Sequence, residues 1–286
     1  MRYCGREFSR SEILWVRQCM EAHPGIHRKE LSRRFCAHFE WLKPDGGLKE
    51  MSCRVAMLKM ERDGLIRLPA RQGQHHPKRR RSPRSLRGEP QPEIVKKAGE
   101  LALGFEPVTE QNSRLWNELI DRYHYLGFTP LAGGQLRYFI QSQYGTVALM
   151  SFSAAAWKTA PRDRYIGWDG ESRKRNLHLV VNQSRFLVLP WVQVRNLASR
   201  LLGMATRRVA DDWECRYNYR PVLVESFVQK DKFAGTSYKG AGWTQVGETQ
   251  GRGKLDRQRR SALPVKTIWL KPLARDFREQ LRGAPS

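Results

Sequence analysis

Two or three carboxylates converging on a divalent metal could cut a phosphodiester, so the acidic residues are taken first. The candidates are Asp163, Asp169, Glu171, Asp211, Asp212 and Glu225. No DxD, HNH-like or PD-(D/E)xK spacing organises them. Glu225 stands apart because it interrupts the apolar run Val222-Leu223-Val224-Glu225-Ser226-Phe227-Val228. A carboxylate in such a run is either a catalytic residue or the partner of a buried arginine. Asp211 and Asp212 read as the end of a long helix. His124, set between Tyr123 and Tyr125, is either a catalytic base or a packed residue closing a helix. The cysteines Cys4, Cys19, Cys36, Cys53 and Cys215 are scattered singly, without the paired spacing a zinc site needs. They read as reduced thiols. The N-terminus lacks a signal-peptide apolar segment, so the expected compartment is the cytoplasm.

The charge speaks about partners. Lys plus Arg is 52 against 28 Asp plus Glu in 286 residues, a formal net charge of +24. Such an excess calls for a polyanion, and nucleic acid is the expected partner, double-stranded DNA first. The charge is concentrated. Arg71, Lys78, Arg79, Arg80, Arg81, Arg84 and Arg87 follow one another with no acid between them. Arg252, Lys254, Arg257, Arg259 and Arg260 form a second cluster. Neither stretch carries an apolar helical face, and no run of about 18 apolar residues exists, so a membrane partner is not expected.

These groups need elements to position them. Residues 1–70 read as three helices and a short strand. Ser9 and Glu12 have capping-box spacing, with Ile13, Val16 and Met20 following at helical intervals to the stop at His23-Pro24-Gly25. Leu31 and Phe35 face the core from a second helix. A third spans residues 48–62, with Met51, Val55 and Leu58 as its buried stripe and Lys49, Ser52, Ala56, Lys59 and Arg54 turned outward. Residues 65–69 read as a strand. That order is a winged helix-turn-helix whose third helix can enter a major groove, with Arg67 reaching phosphates. Residues 71–94 read as a basic Pro- and Arg-rich linker.

Residues 95–286 read as a mixed α/β domain, making the chain α+β overall. A helix over 110–124 precedes a hairpin of strands over 136–143 and 146–154. Residues 161–169 read as a loop, and a helix spans 171–181. A buried strand covers 185–189, a helix 196–208, and a second buried strand 222–228. A short helix lies within 233–242, and strands over 243–247 and 265–270 flank the second basic cluster.

This order resembles the GNAT acyltransferase fold. The likeness is clearest at Tyr238-Lys239-Gly240-Ala241-Gly242-Trp243, which is similar to that fold's late Tyr-x-x-x-Gly-Phe element. The resemblance implies that Tyr238 is the acid that protonates a leaving group, its alternative being a structural hydrogen bond. It also implies a cofactor cradle at Arg195-Asn196-Leu197-Ala198-Ser199-Arg200. Ala198 and Arg200 stand where glycines would be expected, which argues against acetyl-CoA. Arg195, Asn196 and Ser199 remain able to receive an anion at a helix N-terminus, and no cofactor is assigned.

A second resemblance covers more of the chain. It runs through Asn182-Gln183-Ser184-Arg185-Phe186-Leu187-Val188-Leu189-Pro190-Trp191, Tyr219-Arg220-Pro221-Val222-Leu223-Val224-Glu225-Ser226, Phe233-Ala234-Gly235-Thr236-Ser237-Tyr238 and Gly247-Glu248-Thr249-Gln250-Gly251-Arg252-Gly253. These segments are similar to the DruA family of Druantia anti-phage systems, and Met51-Ser52-Cys53-Arg54-Val55 fits its N-terminal half. Relatives of that family also occur in transposon-linked proteins. The resemblance implies a role in antiviral defence or transposition beside other proteins of the same operon. The reading is thus a DNA-binding component of such a system. A divergent group transferase and a metal-dependent nuclease are the alternatives.

Overall fold

The computed structural model describes residues 1–70, 84–131, 133–156, 158–251 and 263–283. The chain divides into two compact units, Met1–Arg80 and Arg81–Ser286.

The first unit opens with a small hairpin, β1 (Arg2–Tyr3) and β2 (Arg6–Glu7), turned by Cys4 and Gly5 at positive φ. Three helices follow: α1 (Arg10–Ala22), α2 (Arg28–His38) and α3 (Glu50–Arg62). The capping box forms: the Glu12 amide donates to Ser9 Oγ at 3.1 Å and the Ser9 amide to Glu12 Oε2 at 2.8 Å. Ile13, Val16 and Cys19 of α1 pack with Leu31 and Phe35 of α2, around Phe8 and Trp41.

Two expectations for this unit fail. The buried face of α3 is Cys53, Ala56, Met57 and Met60, while Met51 and Val55 are exposed. Residues 65–69 form no strand. The Leu65 amide closes back on the Met60 carbonyl at 2.9 Å, and side chains take several of the other backbone groups. Arg17 Nε donates to the Leu65 carbonyl at 2.9 Å, Arg28 Nε to that of Pro69 at 2.6 Å, and the Leu68 amide donates to Glu61 Oε1 at 2.9 Å.

The second unit is built on a mixed sheet. Its elements are β3 (Ile94–Lys97), β4 (Gly104–Pro107), α4 (Ser113–Tyr123), β5 (Gln135–Ser142), β6 (Gly145–Ala154), α5 (Ala160–Ile166), α6 (Gly170–Asn176), β7 (Val180–Val188), β8 (Val192–Arg195), α7 (Leu197–Tyr217), β9 (Leu223–Gln229), α8 (Thr236–Gly240), β10 (Thr244–Glu248), β11 (Lys266–Pro272) and α9 (Phe277–Arg282). The seven-stranded order is β10-β11-β9-β7-β6-β5-β4, and β3 pairs with β8 apart from it. Every pairing in the large sheet is antiparallel except β7 with β9, which is parallel. A parallel pair needs a crossover, and α7 supplies it.

Strand alternation sends side chains to two cores. On β11, Trp269 joins the core under α4 and α7, while Ile268 and Leu270 join the one under α5 and α9. On β9, Val224 and Val228 go to the first and Leu223 to the second. Helix α7 lays Leu201, Leu202, Ala205, Val209 and Trp213 on the first face.

Several sequence-based boundaries move. Residues 160–166 are helical, Pro161 sitting in the first turn where its missing N–H costs nothing. The helix expected over 171–181 stops at Asn176, and Val181 belongs to β7. Asp211 and Asp212 lie inside α7, which runs on to Tyr217. No described helix is long and apolar enough to cross a membrane.

Candidate functional site

The parallel pair opens partway along its length. β7 and β9 match from Val180↔Leu223 to Gln183↔Ser226 and no further. Past that point β7 follows β6, reaching Val188↔Ala148, and β9 follows β11, reaching Gln229↔Lys266. The two strands therefore fork. A cleft of about 600 Å³ occupies the fork. Its walls are residues 183–188 of β7 and 226–228 of β9, closed by residues 123–126 after α4 and 232–238 leading into α8. Such a volume suits a small-molecule or nucleotide-sized ligand.

Three polar side chains meet where the fork begins. Tyr238 Oη donates to Gln183 Oε1 at 2.7 Å. Ser226 Oγ lies 2.9 Å from Gln183 Oε1 and 3.0 Å from Tyr238 Oη, so its single proton serves either acceptor. Gln183 Nε2 donates to the Arg185 carbonyl at 3.0 Å. Burial pushes the Tyr238 phenol up to about 12, against the Ser226 hydroxyl, so Tyr238 is a neutral donor at pH 7. Its ring lies 5.8 Å from Trp269 and 5.2 Å from Trp243. Tyr238 thus has the structural hydrogen bond and also lines the cleft.

The cleft is cationic. Arg185 and Lys232 line it, Arg185 Nη1 donating to the Ser184 carbonyl at 2.7 Å. Burial lowers the pKa of both Arg185 and Lys266, and the charge of Arg185 lowers that of Lys266 further. No described carboxylate pairs with Arg185, Lys232 or Lys266; Lys230 is matched by Glu248. Burial and then the charge of Asp231 raise the Tyr125 phenol against Arg185, and Asp231 receives the Gln229 side-chain amide at 3.1 Å. His124 closes α4 and accepts the Leu126 amide on Nδ1 at 3.2 Å. Burial, then Arg185, then Lys266 bring its pKa down to about 4. The mouth is aromatic: Tyr125 and Phe233 lie 5.3 Å apart, with Lys232 Nζ 5.5 Å from the Tyr125 ring.

Glu225 faces the other side of the sheet from Ser226, in keeping with strand alternation. It is fully buried, accepting Arg162 Nη1 at 3.0 Å on Oε2 and the Ala156 amide at 2.7 Å on Oε1. This is the geometry of an ion-paired residue. The other carboxylates are likewise engaged. Asp163 receives Arg162 and Arg173, Asp169 caps α6, Glu171 pairs with Lys174, Asp211 with Arg220, and Asp212 with Arg208 and Tyr138. Among the described residues no three His, Cys, Asp or Glu side chains are grouped to hold a metal.

The start of α7 is the expected anion cradle. Asn196 stands there in a left-handed turn, φ 61°, without a side-chain cap, and Ser199 Oγ donates to the Asn196 carbonyl at 3.0 Å. Helix α8 sits on this end: a Cβ at Gly240 would come within 3.3 Å of Ser199 Cβ. Arg195 is exposed and only Ala198 of this segment reaches the cleft. An open backbone cradle for the pyrophosphate of coenzyme A is not what these residues form.

The DNA candidates are dispersed. At about 3.6 residues per turn, Ser52 and Lys59 share one flank of α3 and Arg54 lies on the other. Lys59 and Arg67 are exposed, and Lys49 precedes α3 half-buried. Lys78, Arg79, Arg80, Arg81, Arg252, Lys254, Arg257, Arg259 and Arg260 lie outside the described residues.

The sequence profile of the family described as "Druantia protein DruA" matches residues 59–262. This chain belongs to the DruA family. The match spans the fork and its polar centre, and begins beyond Met51–Val55, which it leaves out. No curated protein matches the chain. Among solved structures it is similar to the ribosomal-protein-S18-alanine N-acetyltransferase of Escherichia coli (10% identity, 60% of this chain, 94% of that one, TM-score 0.37). A polyamine N-acetyltransferase of Drosophila melanogaster (12%, 59%, 99%, 0.39) and a probable acetyltransferase of Staphylococcus epidermidis (9%, 60%, 99%, 0.40) are similar too.

Gln183, Arg185, Lys232 and Lys266 join the site without standing out by residue type or spacing in the sequence. The available signal was a polar run within a strand bounded by apolar residues, Asn182-Gln183-Ser184-Arg185 in β7, and the Glu225-Ser226 pair in β9.

Proposed function

We propose that this member of the DruA family is the DNA-binding component of an anti-phage defence or mobile-element system. The observation that carries the reading is the charge. With 52 basic and 28 acidic side chains, 52 − 28 = 24 cations have no acid available, whatever the fold does. The cationic cleft and the exposed Lys59, Arg62 and Arg67 support it. In this reading α3 docks on duplex and the Arg-rich segments hold phosphates.

The test is binding to duplex and single-stranded DNA over a salt series, with magnesium present and products run on a denaturing gel. Each phosphate contact should contribute a slope of roughly 0.9 log unit in affinity per log unit of salt. Replacing Arg79, Arg80 and Arg81 by Ala should weaken all sequences alike and lower the slope by up to about 2.7. Salt-insensitive or absent binding would sink the reading. Cut or joined products would move it to a nuclease or transposase.

A further inference from the structure

The cleft at the fork combines three features that one ligand class would use together. The first is the aromatic mouth. Tyr125 and Phe233 both line the cleft yet remain 40% and 48% exposed. Exposed rings at a cavity mouth offer stacking faces, and every nucleobase has a matching face. The second is charge without acid partners, from Arg185 and Lys232 on the walls with Lys266 within electrostatic reach of Arg185. Cations without an acid partner, Arg185 and Lys266 partly buried and Lys232 exposed, favour a phosphate-bearing ligand. The third is the polar floor. Gln183 is 4% exposed, and its Nε2 spends one of two protons on the Arg185 carbonyl. The second proton has no partner among the described residues. The Ser226 hydroxyl carries one proton for two nearby acceptors, Gln183 Oε1 and Tyr238 Oη. Such a floor has a donor and oxygen lone pairs to spare, as the hydrogen-bonding edge of a base requires.

We propose that the fork between β7 and β9 receives one unstacked nucleotide of a DNA strand, its base against Tyr125 and Phe233 and its phosphate on Arg185 and Lys232. Gln183, Ser226 and Tyr238 meet the base edge. The inference rests on the DNA-binding reading and deepens it by naming where a strand is gripped outside the helical unit. Stacking tolerates any base, so the grip is on unpaired DNA more than on sequence. It favours single-stranded or distorted DNA over intact duplex, because a paired base must first leave its stack.

The full chain is tested with a single-stranded deoxyoligonucleotide carrying 5-iodouracil, which photocrosslinks to nearby aromatic residues. The expected result is a crosslinked peptide containing Tyr125 or Phe233, mapped by mass spectrometry. Phe233→Ala should weaken binding to the oligonucleotide at least about fivefold and leave its salt slope unchanged, since a stacking contact releases no counterion. Arg185→Gln should weaken it and lower the slope by about one. Thermal melting of each variant reports folding, and the exposed Phe233 decides the matter should Arg185→Gln melt early. Steep salt-dependent binding with crosslinks only elsewhere and unaffected variants would overturn the inference and leave the DNA-binding reading standing. Failure of the wild-type chain to bind any DNA would remove both. Free dTMP bound in the cleft and not displaced by the oligonucleotide would overturn the strand as the ligand's source.

Discussion

Replacing Glu225 by Gln separates a structural carboxylate from a catalytic one. Glu225 and Arg162 are both fully buried, 3.0 Å apart at their closest charged atoms. Removing one partner of a buried pair costs roughly 3–5 kcal/mol, because the other charge is left without compensation. Here the lower end applies. Arg162 keeps Asp163, through Nε at 3.0 Å and Nη2 at 2.8 Å, and keeps the Ala156 carbonyl at 2.7 Å. A loss of about 3 kcal/mol in a domain of this size lowers Tm by roughly 6–12 °C. Differential scanning calorimetry of the full chain checks it. Arg162→Met gives the complementary result. Its removal leaves the Glu225 carboxyl, already raised by burial, without its main opposing charge. The folded state of that variant then holds a proton that the unfolded state releases above about pH 4.5. Its deficit relative to wild type should therefore grow from pH 5 to pH 8. The double variant Arg162→Met/Glu225→Leu should cost less than the two single changes summed. A Glu225→Gln protein melting within about 1 °C of wild type would refute the argument and return Glu225 to the list of free carboxylates.

Three further outcomes follow from the cleft. His124 is held near pKa 4 in the fold against about 6.5 unfolded, so at pH 7 it is neutral in the fold and mostly neutral in the unfolded chain. Below pH 6.5 the unfolded chain takes up the proton first, so stability falls toward pH 4, by at most about 3 kcal/mol. A His124→Gln variant should lose that part of the slope in urea melts taken between pH 4 and pH 7. Gly235 has φ +72°, and a Cβ there would lie 2.5 Å from Trp269 Cζ2. Gly235→Ala should lower stability by more than the ~1–2 kcal/mol of a left-handed residue alone, read as a fall in Tm with loss of the native tryptophan emission. Acetyl-CoA should leave Tm unchanged even at high concentration, because the start of α7 is covered at Ser199. A shift growing with ligand concentration would reinstate the transferase reading.

How much was legible depended on whether a signal was local. The capping box at Ser9 and Glu12 is complete within one turn, and it forms as read. The face of α3 was not legible, because apolar residues at 51, 53, 55, 56, 57, 58 and 60 nearly encircle the helix. Periodicity then fails to select a stripe, and tertiary packing chose Cys53, Ala56, Met57 and Met60. Asp211 and Asp212 read as terminators, yet on the outer side of α7 they are matched by Arg220 and Arg208. The strand β7 was half hidden, since the helix before it ends in a short turn over Leu177–Leu179 without a proline or glycine to mark the change.

The fork itself has no local signature. Gln183 and Ser226, 43 positions apart in the chain, are partners across a parallel pair brought together by the crossover through α7. What the sequence did offer was the pair of adjacent residues Glu225 and Ser226, two polar interruptions in one apolar strand. A single reading cannot serve both, because neighbours on a strand face opposite ways. Glu225 turns to α5 and is consumed by Arg162, closing one core. Ser226 turns to the cleft, where Gln183 and Tyr238 leave its hydroxyl shared and a donor unused. The more conspicuous charge is therefore the structural one. The hydroxyl beside it marks the cleft, since a buried polar group with unspent hydrogen-bonding capacity is costly unless a ligand or water completes it.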